Sequence, residues 1–96
     1  MWHIEYYNSG FGPCPVEKYI NSLDVTSQAM IGHMLELLEE FGINMGAPYV
    51  RHIEKQLWEL RIHRNRLMHY VIYFWDIGET LVLMRVFSRT RYSLTA

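Results

Sequence analysis

Arg61 is the residue around which a reactive site can be assembled. It lies in the run Leu57-Trp58-Glu59-Leu60-Arg61-Ile62-His63, where Trp58, Leu60 and Ile62 alternate with Glu59, Arg61 and His63. Strict alternation is the period of a β-strand with one wet face. Arg61 therefore points away from the apolar side, together with Glu59 and His63. The next sheet-like run, Leu67 to Trp75, offers His69 or Tyr70 alongside it, and a last run, Leu81 to Phe87, offers Arg85, with Arg89 and Arg91 just beyond. Guanidinium groups from neighbouring strands would then converge on one patch, and such forks bind phosphate bidentately. Interleaved Tyr and His side chains can stack on unpaired bases. The competing reading makes these arginines no more than the solvated outer face of a sheet.

Several elements have to hold that patch in place. Arg64-Asn65-Arg66 and Asp76-Ile77-Gly78-Glu79 are short enough to be hairpin turns between the three runs. Upstream, Trp2, Ile4 and Tyr6 alternate over residues 2–7 and predict a strand, ended by the loop Asn8-Ser9-Gly10-Phe11-Gly12-Pro13. Pro15 suits a first helical turn, and Val16, Tyr19, Ile20 and Leu23 then recur at helical spacing. Asp24 or Thr26 can cap a second helix, whose stripe Met30, Met34, Leu37, Leu38 and Phe41 ends at Gly42, a helix-stop residue. The stripe is expected to pack on the sheet as core, with a partner surface as the alternative. Glu36, Glu39 and Glu40 form a solvated face, and Ile43 to Pro48 a loop. The expected fold is α+β over residues 1–96, one domain in the order β-α-α-β-β-β, with two N-terminal helices on a small, mainly antiparallel sheet.

Composition agrees with a packed domain: half of the 96 residues are hydrophobic and 15% are aromatic. The single cysteine, Cys14, excludes an internal disulfide and fits a reducing compartment; between Pro13 and Pro15 it reads as a small side chain in a turn. No Cys/His pair has zinc spacing, so neither a metal nor another cofactor is expected. There is no basic stretch leading into a long apolar run and no window of membrane-span length. A cytoplasmic protein without a membrane partner is expected. The net charge of −1 conceals a polarised chain. Residues 1–48 hold one basic residue against six acids, whereas residues 49–96 hold eight basic residues against four acids. Such a chain suits one face for an anion and another for something else.

With these segments in order, the sequence resembles the RelE/HigB-like toxin superfamily, in its phage-derived branch. Members typically read "LWELR", a hairpin, "YRVLYF" and "LLHGFVKKT". Here the pieces are Leu57-Trp58-Glu59-Leu60-Arg61, Tyr70-Val71-Ile72-Tyr73-Phe74 and Leu83-Met84-Arg85-Val86-Phe87-Ser88-Arg89-Thr90. The opening Ile4-Glu5-Tyr6-Tyr7, the segment Pro15 to Ile20 before Leu23, and the loop from Phe41-Gly42 to Gly46-Ala47-Pro48 also match. The resemblance implies the toxin of a type II toxin–antitoxin pair. Such a protein cleaves messenger RNA on the ribosome without a metal, by attack of the RNA's own 2′-hydroxyl. It also implies a cognate antitoxin, usually with a helix-turn-helix domain, as partner.

Carried over by position, Arg61 matches the basic residue of the first hairpin strand, and Arg89 the first lysine of "KKT". Arg91 lies close by without a fixed counterpart. His63, His69 and Tyr92 are candidates for proton transfer by their chemistry alone; a histidine in such a sheet can equally be structural. Where the family has the arginine of "YRVLYF" this chain has Tyr70. Where it has the second lysine this chain has Thr90, and the histidine of "LLHGF" is Arg85. Many relatives continue into a C-terminal segment where this sequence ends at Ala96. Arg64, Arg66 or Arg85 could restore the missing charge on RNA, beside Tyr70 and His63. The alternative is a non-catalytic or degenerate module that binds an antitoxin or RNA without cutting.

Overall fold

The computed structural model describes residues 1–8, 10, 12, 14–64 and 66–90. The chain runs β1 (His3–Tyr6), α1 (Pro15–Asn21), α2 (Val25–Phe41), a 3-10 turn (Gly42–Met45), β2 (Val50–Glu54), β3 (Leu57–Arg64), β4 (Leu67–Trp75) and β5 (Thr80–Thr90). Both helices start where local chemistry allows. Pro15 opens α1, and the Asp24 carboxylate caps α2 by accepting from Ser27 N at 3.3 Å. The α2 helix ends at Gly42, which adopts φ 57°. A Cβ there would lie inside the indole ring of Trp2, so glycine is required by conformation and by space.

The strand layout differs from the sequence expectation. There are five strands in the order β1-β5-β4-β3-β2, and the sheet is mixed, because β1 runs parallel to β5 while every other pair is antiparallel. This overturns the β-α-α-β-β-β layout on a mainly antiparallel, RelE-like sheet. The added strand, β2, occupies 50–54 and joins β3 through a two-residue turn, Lys55-Gln56. Lys55 takes φ 49°, the left-handed backbone that tight hairpin turns need. The parallel pairing follows from the path of the chain: the two helices carry it from one edge of the sheet to the other, and the meander returns β5 to the side of β1.

The helices cover a single face of the sheet. Ile31 and Leu38 of α2 and Val16 of α1 pack against Leu60, Val71, Tyr73, Leu81 and Leu83, all completely or almost completely buried. Complete burial of a large aliphatic side chain stabilises by roughly 1.5–3 kcal/mol, so this layer fixes the register of every strand. The methionine–leucine stripe meets the core only in part. Leu38 is buried, Met30 and Met34 are half-buried at the core's edge, and Phe41 is exposed. The helix is rotated relative to that expectation, and Ser27, Ile31 and Leu38 form its inner line. Glu36, Glu39 and Glu40 are exposed, as their spacing predicts. Cys14 precedes α1 and its thiol donates to the Tyr7 carbonyl at 3.4 Å, a turn contact.

Candidate anion-binding site on the open face

The face without helices is built by register. Arg61 on β3 lies opposite Tyr70 on β4, and Tyr70 opposite Phe87 on β5. The adjacent row is His63, Met68 and Arg89; another places Ile72 opposite Arg85. On the β2 side, Arg51 lies opposite Glu59. Directly opposed residues in a sheet share a face, so four arginines from three strands project to one side. Arg61, His63, Met68, Tyr70, Arg89 and Thr90 line a cleft of about 330 Å³. A second hollow of about 250 Å³ adjoins it and shares Arg61, Tyr70 and Arg89, adding Arg51, Glu59 and Phe87.

One carboxylate sits among these cations. Glu59 has a side chain only 9% exposed, with Arg51 Nε at 3.3 Å and Arg61 Nε at 3.8 Å. The second distance is too long for a hydrogen bond, and Arg61 Nε is buried without an acceptor. Arg61 is thus held electrostatically by Glu59 while 39% of its side chain stays exposed toward the cleft. With a single acid beside Arg51, Arg61 and Arg89, the hollow keeps an excess of positive charge. The aromatic rings stiffen the array. Tyr70 and Phe87 stack at 5.0 Å between centroids, and the guanidinium groups of Arg85 and Arg89 lie 5.2 and 5.5 Å from the Phe87 ring. Cation–π contact of this kind holds a flexible side chain over a surface it does not neutralise.

Five of the sequence-derived residues come together: Arg61, His63, Tyr70 and Arg89 line the cleft, and Arg85 flanks it through Phe87. His69 does not. It is the neighbour of Tyr70, so it points to the covered face, where it is fully buried. Its Nδ1 lies 2.6 Å from Ser88 Oγ and its Nε2 3.2 Å from Ser27 Oγ, while the Tyr19 hydroxyl donates to Ser88 Oγ at 2.7 Å. Burial lowers its pKa below the usual histidine value; Arg64 adds to the shift and Asp24 opposes it. Arg64 also leaves the cleft, since its guanidinium pairs with Asp24 at 3.2 Å. Asp24 is held below the usual carboxylate range, first by hydrogen bonding from Ser27 and further by Arg64. Arg66 is exposed in the β3–β4 turn and lines neither hollow. Arg91 and Tyr92 lie outside the described residues.

The structure adds residues that the sequence reading passed over as site members: Arg51, Glu59, Met68 and Phe87. Glu59 and Phe87 carried a usable signal, because each occupies the same alternating face as Arg61 or Arg85. Arg51 carried none until β2 was known to be a strand. Among the described residues, no group of three or more His, Cys, Asp or Glu side chains is placed to hold a metal ion, and no helix is long and apolar enough to cross a membrane.

A family model described as phage-derived protein Gp49-like (DUF891) matches residues 18–94. The chain belongs to this family. The match takes in every residue of the open-face cleft. The Gp49-like family is associated with the toxins of toxin–antitoxin pairs. A search among curated proteins found no match.

Proposed function

We propose that this Gp49-like protein is the toxin of a type II toxin–antitoxin pair and acts as a metal-independent endoribonuclease on messenger RNA, in the manner of the RelE/HigB-like toxins it resembles. The observation that carries the reading is that Arg61 and Arg89, from strands separated by β4, line one open cleft. In the reaction the 2′-oxygen of one nucleotide attacks the adjacent phosphorus and the bond to the 5′-oxygen of the next nucleotide breaks. The products are a 2′,3′-cyclic phosphate and a 5′-hydroxyl. Negative charge builds on the non-bridging oxygens as the fifth bond forms, and fixed cations aimed at those oxygens stabilise it. Arg61 and Arg89 supply that charge from two directions. They also hold the phosphate in one orientation, which converts attack by the neighbouring hydroxyl into a favourable intramolecular step.

One group must take the 2′ proton and another must give one to the leaving oxygen. Within the cleft His63 is the candidate for such transfer, and Tyr70 offers a ring on which a flanking base can stack. The cognate antitoxin and the ribosome enter this reading as partners by resemblance. The test is induced expression of the wild type and Arg61→Ala in a bacterium, followed by cleavage of RNA by the purified proteins. Growth arrest and cyclic-phosphate products from the wild type only are expected. Folded wild-type protein that binds RNA and leaves it intact would reduce the reading to a binding module, and unimpaired activity of Arg61→Ala would overturn the site.

A further inference from the structure

Beside the cleft, between α2 and the end of β3, lies a separate hollow of about 210 Å³. Met30 and Met34 of α2, Ile62 of β3 and Tyr49 form its apolar walls, with His33 at the helix side. Two further lining residues, Arg61 and His63, belong to the cleft as well. The opening exists because β2 stops short: the last main-chain link on that side is Arg61 N donating to Tyr49 O at 2.8 Å, and from Ile62 onward β3 runs alongside α2 without β2 beside it. The half-buried methionines left over from the core thus wall a cavity that shares its guanidinium group with the anion site.

We infer that this hollow receives the nucleobase of a nucleotide adjoining the phosphate held by Arg61 and Arg89, and that it sets the base preference of the protein; the inference rests on the ribonuclease reading above. Three features support a base as the occupant. The hollow adjoins the phosphate cleft, with Arg61 and His63 lining both, so an occupant joined to that phosphate reaches it within one nucleotide. Its volume falls below the roughly 300–1,000 Å³ of clefts that take whole drug-sized ligands, which suits a single ring system. Its walls pair polarizable thioethers with an aromatic ring, surfaces that favour flat π systems, and a histidine is at hand to read a base edge. Tyr70 and Phe87, on the opposite side of Arg61, are left for the base across the phosphate.

The experiment uses fluorescent tetranucleotides with 2′-deoxyribose throughout, which removes the attacking hydroxyl, and with the base deleted at each position in turn. Binding is measured for the wild type, Arg89→Ala and Met34→Trp, whose larger ring fills the hollow. For the wild type, deleting one particular base is expected to weaken binding about tenfold or more. Arg89 lines the cleft but not the hollow, so Arg89→Ala should weaken intact and abasic oligonucleotides by the same factor and keep their ratio. Met34→Trp should bring the ratio close to one. Should Met34→Trp fail to fold, Tyr49→Ala decides, because Tyr49 is 50% exposed and its truncation removes one wall. A ratio unchanged in these variants assigns the hollow to another occupant, such as an apolar side chain of a protein partner. That result overturns the inference and leaves the ribonuclease reading standing. Wild-type protein that binds none of the oligonucleotides, and cuts no RNA, overturns both.

Discussion

On the open face, Arg61 and His63 of β3 border a cleft that admits a ligand. On the covered face, Arg64 of the same strand pairs with the carboxylate that caps α2, and His69 of the next strand is sealed between two serines. The residue types are the same and the surroundings are opposite. What separates them is parity: a strand sends successive side chains to opposite faces, so a shift of one position exchanges a group on the open cleft for one held inside the fold. The open-face cations share one carboxylate, Glu59, and keep a net positive charge, at a cost in mutual repulsion. On the covered face His69 and the Arg64 terminal nitrogen have partners within the fold, while Trp58 Nε1, Arg64 Nε and the Tyr73 hydroxyl are buried without one. Function and stability are therefore assigned to separate sides of one sheet, and each side can be tested without the other.

The largest expected difference is catalytic. Arg61→Ala and Arg89→Ala should each reduce RNA cleavage by roughly 10²–10³-fold, the usual loss when one fixed charge-stabilising group is removed. Both proteins should still fold, because Glu59 retains Arg51 as its partner and Arg89 is exposed. The measurement is cleavage rate beside thermal unfolding. A loss of activity that merely tracks a fall in Tm would erase the distinction between the faces.

His69→Ala reverses the pattern. It opens a cavity in a fully buried position and leaves the Ser27 and Ser88 hydroxyls without the ring that joins them. The combined loss is about 2–4 kcal/mol, which in a domain of this size lowers Tm by more than about 10 °C. At a temperature where the variant is still folded, its cleavage rate should stay within severalfold of the wild type. A rate loss as deep as that of Arg61→Ala would return His69 to the chemistry.

These contrasts mark how far the sequence could be read. Both helices, the Asp24 cap, the Gly42 stop and four of the five strands follow from periodicity, residue type and end signals. Alternation also placed Arg61 and His63 on one side, and Arg89 was expected beside them from its place just beyond the last run and from the resemblance. β2 was not legible. Val50 to Glu54 is exposed apart from Val50, its two apolar residues, Val50 and Ile53, do not alternate, and its turn is Lys55-Gln56 rather than a glycine-bearing pair, so neither the strand nor the hairpin carries its common signature. The parallel seat of β1 is a matter of long-range pairing, which no local pattern encodes. His69 was misplaced by one position, because β4 is apolar on both faces and its alternation is weak: Met68, His69, Val71 and Tyr73 are all buried. Where one strand lacks a polar side, its neighbours' register has to settle which residues face outward.

A smaller effect concerns pH. His69 is enclosed by Ser88 Oγ at Nδ1 and Ser27 Oγ at Nε2, with Tyr19 donating to Ser88 Oγ. Burial disfavours the charged ring, and Arg64 adds to this while Asp24 opposes it, so the folded pKa is lowered from 6.5. Well above pH 6.5 the ring is neutral in both states and contributes no slope. As pH falls below that value, the unfolded chain takes up the proton first, and stability declines until the folded ring also titrates. The slope from this one group cannot exceed about 1.4 kcal/mol per pH unit. Asp24 is shifted in the same direction, so it too loses stability as pH falls, but in a lower range: its contribution is complete above about 3.8, the ordinary carboxylate value, and is lost in more acidic solution. Comparing unfolding at pH 7.5 and 5.5 isolates the histidine. The wild type should lose stability between them, and His69→Gln should lose less; equal losses would mean that the buried network does not govern the ring.

The finest division between the faces is in salt dependence. Each phosphate neutralised on single-stranded RNA adds about 0.7 to the slope of log affinity against log salt. Arg85 lies on the open face with its guanidinium over Phe87, so Arg85→Gln should lower that slope by somewhat less than one. Arg64 carries the same charge only a few residues beyond Arg61, but its guanidinium is occupied by Asp24 on the covered side. Arg64→Gln should leave the slope of RNA binding unchanged. Net charge changes identically in the two variants, so a general electrostatic attraction predicts equal slopes. Unequal slopes require that the position of a cation on the sheet, rather than its presence in the chain, decides whether RNA meets it.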